Sequence, residues 1–140
     1  PDDESEMSLL RSEKTQHKLP TLRPILGVET LISLKKATAQ QHASEAIIRY
    51  VHSLLKESRN HDGVRAGLSP RAGLALLDAA KAHALIEGRQ HVLPDDIQTL
   101  FEHVAAHRII PKSDHSGTMD GDERERVRLA KSILNTVSVP

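Results

Sequence analysis

Gly67-Leu68-Ser69-Pro70-Arg71-Ala72-Gly73-Leu74-Ala75-Leu76-Leu77-Asp78-Ala79-Ala80-Lys81-Ala82-His83-Ala84-Leu85-Ile86-Glu87-Gly88-Arg89 is the stretch on which the fold turns. Ser69 reads as a helix N-cap, because a serine oxygen can accept from a free amide of the first turn. Pro70 follows as a first-turn residue, where its missing N–H costs nothing. Glu87-Gly88-Arg89 reads as a glycine stop, since glycine takes the left-handed conformation that ends helices. Between these signals Ala72, Ala75, Ala79, Ala80, Ala82 and Ala84 surround Leu74, Leu76, Leu77, Leu85 and Ile86. Small side chains let neighbouring helices approach closely, so this helix is expected at the centre of an all-α domain.

Working outward, Pro94 opens a second helix with Asp95 and Asp96 in the turn that favours negative charge. Ile97, Leu100, Phe101, Val104 and Ala105 recur at helical spacing, and the helix is expected to stop near His107. Arg108-Ile109-Ile110-Pro111 is extended and is expected to pair with Val92-Leu93 as a short two-stranded ribbon. Lys112 to Gly121 is polar, and Asp122 to Thr136 reads as a last helix with Val127, Ala130, Ile133, Leu134 and Val137 on one side.

On the other flank, Ser44 caps a helix to about Asn60 whose Ile47, Ile48, Val51, Leu54 and Leu55 face the core. His61 to Leu68, with two glycines, reads as a loop. A helix from Val28 to Gln41 is expected to turn Leu31, Ile32 and Leu34 inward and Lys35 and Lys36 outward. The two prolines in Leu19 to Gly27 give an extended connector, and Asp3 to about Lys14 forms an opening helix. The fold class is therefore all-α, a bundle of five to six helices with a very short ribbon. Its parts are an opening helix and connector over 1–26, the main helices over 27–110, and a tail with the last helix over 111–140.

Composition narrows the function. The 140 residues suit one domain that can bury its own core. With no cysteine, disulfides and thiolate metal sites are excluded. Nineteen basic residues balance nineteen acidic ones, so the chain lacks the overall field that drives nonspecific nucleic-acid binding. One tyrosine and one phenylalanine are too few for base-stacking platforms. The apolar runs are too short to span a membrane, and no signal peptide opens the chain. Neither nucleic acid nor membrane is an expected partner. The chain starts at Pro1 with its first methionine at position 7, as expected of a piece of a longer protein.

The ordered set Gly67 to Leu77, Ala79-Ala80-Lys81-Ala82, Glu87-Gly88-Arg89, Val92-Leu93-Pro94-Asp95-Asp96-Ile97 and His107-Arg108-Ile109 resembles the C-terminal lid of MoxR-family AAA+ ATPases. Glu4-Ser5-Glu6, Gly27 to Gln41 and Ser44 to Leu55 resemble the earlier lid helices more loosely, so the likeness covers nearly the whole chain. It implies a helical lid over ATP held by a separate αβα core, in a cytoplasmic ring that is commonly a hexamer. The implied parent is a chaperone-like ATPase that remodels proteins or assists metal-cofactor insertion. Its partners would be the AAA+ core of the same chain, neighbouring subunits and a client that the likeness does not specify. No phosphate loop and no acidic magnesium strand occurs here, so ATP and Mg2+ belong to the full-length protein, and the fragment alone is not expected to bind them or to be catalytic. The lid of a magnesium-chelatase-like motor is similar, although Gly67 to Ala72 leans toward MoxR. The rival from another class is an autonomous helical module for protein or, through the helix pair meeting at 89–94, for DNA. Neutral charge speaks against DNA.

Arg71 is the residue with chemistry to offer. A cation in a first turn opposes the helix dipole by a few tenths to ~1 kcal/mol, so its presence breaks a local rule. From pattern alone it is either a solvated side chain or, beside backbone amides, an anion-binding corner. The resemblance makes it the sensor-2 arginine that reaches the γ-phosphate, with Ser69 and Pro70 beside it at the nucleotide. His103 and His107 are spaced i, i+4 but lack an evident third ligand, and no metal site is expected there. Arg89 and Arg108 are candidates for nucleotide or subunit contact, with Arg89 also placed to bond the last carbonyls of its helix. Asp122-Glu123-Arg124-Glu125-Arg126 reads as a solvated helix start with internal ion pairs.

Overall fold

The computed structural model describes residues 2–11, 23–112 and 119–140. The chain divides into two compact units, Pro1–Ser33 and Leu34–Pro140.

In the first unit α1 (Asp3–Arg11) carries Asp3, Glu4 and Glu6 in its first turn and Arg11 in its last, each complementing the dipole. The remainder of the expected opening helix, and the connector as far as Leu22, lie outside the described residues. Residues 23–27 are non-helical, as Pro24 requires. α2 (Val28–Ala39) begins in this unit, and none of its residues is buried. Leu31, Ile32 and Leu34 are exposed, which corrects the expectation that they face a core. Apolar spacing identifies a face that would gain from burial; it does not supply the surface that covers it.

The second unit contains α3 (Glu45–Asn60), β1 (Val64–Ala66), α4 (Pro70–Ile86), α5 (Pro94–Ala105), a 3-10 turn (Ala106–Arg108), β2 (Ile110–Pro111) and α6 (Met119–Thr136). Ser44 caps α3 by accepting from the Ile47 N–H at 3.3 Å. Ile47, Tyr50, Val51, Leu54 and Leu55 are buried at i, i+3, i+4, i+7 and i+8, one continuous stripe. Ile48 is exposed, contrary to expectation, because at 100° per residue it falls beside that stripe and Tyr50 takes the buried place. α4 packs on α5 and α3, and α6 packs on α5 and α3, with Ala80 and Ala84 of α4 fully buried. Leu76, Ile97, Phe101, Ile109, Ala130 and Ile133 complete the same core. α6 starts at Met119, three residues ahead of the expected Asp122, and buries Leu129 along with Ala130 and Ile133.

The ribbon exists with a different partner. β2 pairs antiparallel with β1, Val64 opposite Pro111 and Ala66 opposite Ile110, so the stretch read as a loop contains a strand. Val92 instead donates to the His42 carbonyl at 2.9 Å, and His42 donates to Gln90 at 3.1 Å. Helix length explains the correction. Twelve residues of α5 separate Val92-Leu93 from Ile110-Pro111 by about 18 Å, whereas α5 returns the chain to the end where α4 begins, beside β1.

Candidate functional site

The site is built from the end of α3 upward. Ser58 is fully buried, and its hydroxyl donates to the Leu55 carbonyl at 2.8 Å while accepting from the Leu68 N–H at 2.9 Å. Arg59 Nε donates to the Leu68 carbonyl at 2.9 Å. Both backbone polar groups of Leu68 are thus held by neighbouring side chains of α3, and the Leu68 side chain is itself buried. Gly67 is required here because a Cβ would lie 2.4 Å from the Ser58 carbonyl oxygen, a clash with backbone that cannot move aside.

From this strap α4 starts. The Ala72 N–H is satisfied by Ser69, through its carbonyl at 2.9 Å and its hydroxyl at 3.4 Å. Pro70 has no N–H to offer. Arg71 is exposed, and neither its guanidinium nor its backbone N–H makes a hydrogen bond or ion pair among the described residues. Of the three residues singled out in sequence, Ser69 shapes the turn, Pro70 starts it, and Arg71 brings donors free for an anion. The corner has fewer open amides than the pattern suggests, because Ser69 has claimed that of Ala72.

The far end of α4 is closed. The Gly88 N–H bonds the Leu85 carbonyl and the Arg89 N–H bonds that of Ala84, a Schellman ending around Gly88 at φ +70°. Arg89 does not reach outward as a nucleotide contact would require. Its two terminal nitrogens grip Asp96 at 2.7 and 2.6 Å, and Nη1 also donates to the His91 carbonyl at 3.2 Å. Asp96 is 1 % exposed and also bonds His83 Nδ1 at 2.6 Å and the Leu93 N–H at 2.8 Å, capping α5. Burial pushes its carboxyl up, but the Arg89 guanidinium, the Leu93 amide and His83 outweigh that and leave it well below the usual carboxylate range. Sequence reading placed Asp96 in the first turn of α5, as the structure does, but only as an acid favoured by the helix dipole. The signal available was its place three residues past the cap position, where a carboxylate can reach back to the chain entering the helix.

Elsewhere, His103 and His107 line a groove of about 590 Å³ with Glu102, Ala106, Glu123, Arg126 and Val127. No cluster of three or more metal-binding side chains occurs among the described residues. Arg108 is exposed at the end of the 3-10 turn. The acidic and basic run to Arg126 lies within α6 rather than at its start.

The site is thus an alanine-rich central helix with a capped serine-proline start and an exposed arginine in its first turn. The AAA lid domain pattern matches residues 56–128. The chain belongs to the AAA lid domain family. It is 31% identical over 140 residues to the uncharacterized protein YeaC of Bacillus subtilis, spanning all of this chain and 42% of that protein. It is 28% identical over 130 residues to the chaperone MoxR1 of Mycobacterium tuberculosis, covering 86% of this chain and 33% of that one. With the MoxR protein of Paracoccus denitrificans it shares 40% identity over 81 residues, 49% of this chain and 24% of that protein. The chain thus spans less than half the length of these curated relatives, and it is homologous to MoxR proteins. A crystal structure of a Cytophaga hutchinsonii protein proposed to be an ATPase has the same fold, with a TM-score of 0.70 over 99% of this chain and 44% of that one at 22% identity. No helix of this lid, among the described residues, is long and apolar enough to cross a membrane.

Proposed function

We propose that this lid works beside the AAA+ core of the same polypeptide and supplies Arg71 as the sensor-2 arginine toward the γ-phosphate of ATP. One observation carries the reading: Arg71 stands exposed and unpartnered among the described residues, at the start of a helix otherwise firmly anchored. A first-turn arginine with an open backbone amide suits a phosphate oxygen, because both the guanidinium and the helix end favour negative charge. Ser69 and Pro70 line the approach, Ser69 with its hydroxyl proton and Pro70 by setting the first turn. The nucleotide and Mg2+ are held by the core. Arg71 stabilises charge in phosphoryl transfer and couples the angle of the lid to whether ATP or ADP is bound.

The relative named a chaperone supports a parent ATPase that remodels proteins, and the sequence resemblance extends the proposal to cofactor insertion and to a cytoplasmic ring, commonly a hexamer. The test is ATP turnover by the lid joined to its core. Arg71→Ala lowers the rate by about 10²- to 10³-fold, as removal of one preorganised donor does. Turnover equal to the unsubstituted protein sinks the assignment.

A further inference from the structure

We infer that Ser58 and Arg59, at the end of α3, are positioning residues for Arg71: by clamping both backbone groups of Leu68 they set where α4 begins and where its arginine can reach. The inference rests on the sensor-2 reading above and extends it to two side chains that touch no nucleotide.

Three observations meet at one residue. The Leu68 N–H is taken by the buried Ser58 hydroxyl, the Leu68 carbonyl by Arg59 Nε, and the Leu68 side chain by the core. Neither β1, which ends at Ala66, nor α4, which begins at Pro70, satisfies these groups. Ser58 is itself pinned by its bond to Leu55, so the clamp is referenced to the body of α3 and not to a loop. Gly67 packs directly on the Ser58 carbonyl, which leaves the strap no room to slide. Arg71 follows Leu68 by three residues, and the other end of α4 is locked through Arg89 and Asp96. With both ends held, the arginine's own rotamers are the freedom that remains to it. A guanidinium that acts on charge developing during the reaction needs this precision, since a displacement of about 1 Å can cost about 10²-fold in rate.

The experiment is steady-state ATP hydrolysis by the lid joined to its core, with Ser58→Ala and Arg59→Met each made alone and on an Arg71→Ala background. Arg59→Met keeps the aliphatic stem of an exposed residue, and decides the matter if Ser58→Ala does not fold. The expected result is a kcat lowered between about 10- and 100-fold with KM for ATP nearly unchanged, and no further loss on the Arg71→Ala background. Folded single variants with unaltered kcat, or an equal fold-loss with and without Arg71, overturn the positioning role while leaving the sensor-2 reading intact. A wild-type rate for Arg71→Ala itself overturns both.

Discussion

Two arginines bracket α4, and they live in opposite surroundings. Arg89, just past the last turn, holds a buried carboxylate with two short bonds and is mostly covered. Arg71, in the first turn, is exposed and has no partner among the described residues. Electrostatics would place them this way only if stability were the whole purpose at one end. A cation after a helix C-terminus is favoured by the dipole, and one at the N-terminus is opposed by it. The chain therefore uses one guanidinium to close its own fold, and the other is the one that the proposed function assigns to the nucleotide.

The largest effect expected from this contrast is in Arg89→Ala. It strands the Asp96 carboxylate in the core with only His83 and the Leu93 amide, and breaking such a pair typically costs about 3–5 kcal/mol. Urea unfolding of the 140-residue chain measures it. A loss under about 1 kcal/mol would mean that water or His83 readily replaces the guanidinium, and that the two arginines differ less than their surroundings suggest.

Acid sharpens the same side of the comparison to a smaller degree. The Asp96 carboxyl is held below its ordinary value in the folded chain, so the stability it contributes is complete above the unfolded value of about 3.9 and is lost as pH falls below that. Thermal unfolding followed from pH 6 down to pH 2.5 should therefore show a steeper loss for the natural chain than for Asp96→Asn, which lacks the titrating group. Parallel curves would show that Asp96 does not couple protonation to folding.

The sequence revealed α4 and the side chains that hold it unequally, for a physical reason. Ser69, Pro70 and Gly88 act within their own turn, so capping and stop rules place α4 within two residues at its end. The stripes of α3 and α5 were readable in the same way, through helical spacing alone. Ser58 and Asp96 act across turns and between helices. A serine in a last helical turn and an aspartate in a first turn look like solvated polar residues until tertiary packing buries them. The ribbon partner was missed because pairing depends on where α4 and α5 return the chain, and Ile48 because Tyr50 competes for the same stripe. Leu31, Ile32 and Leu34 show the limit of periodicity, which marks an apolar face without providing its cover.

The smallest expected effect is also the most diagnostic. If Arg71 takes no part in the fold of the lid, Arg71→Ala removes only an unfavourable meeting of cation and helix N-terminus, and alanine is at least as good a helix former. Stability of the 140-residue chain should stay level or rise by about 0.3 kcal/mol, and Arg71→Glu should raise it further because a carboxylate suits that turn. Urea midpoints at low ionic strength resolve the sign, and added salt should shrink the difference. A loss of about 1 kcal/mol or more in either variant would show Arg71 engaged within the lid, as Arg89 is, and would remove the reason for assigning it to a ligand outside. An unchanged or improved fold, set beside a collapse in turnover once the core is attached, is the pattern of a side chain kept at some cost to the domain for work on the nucleotide.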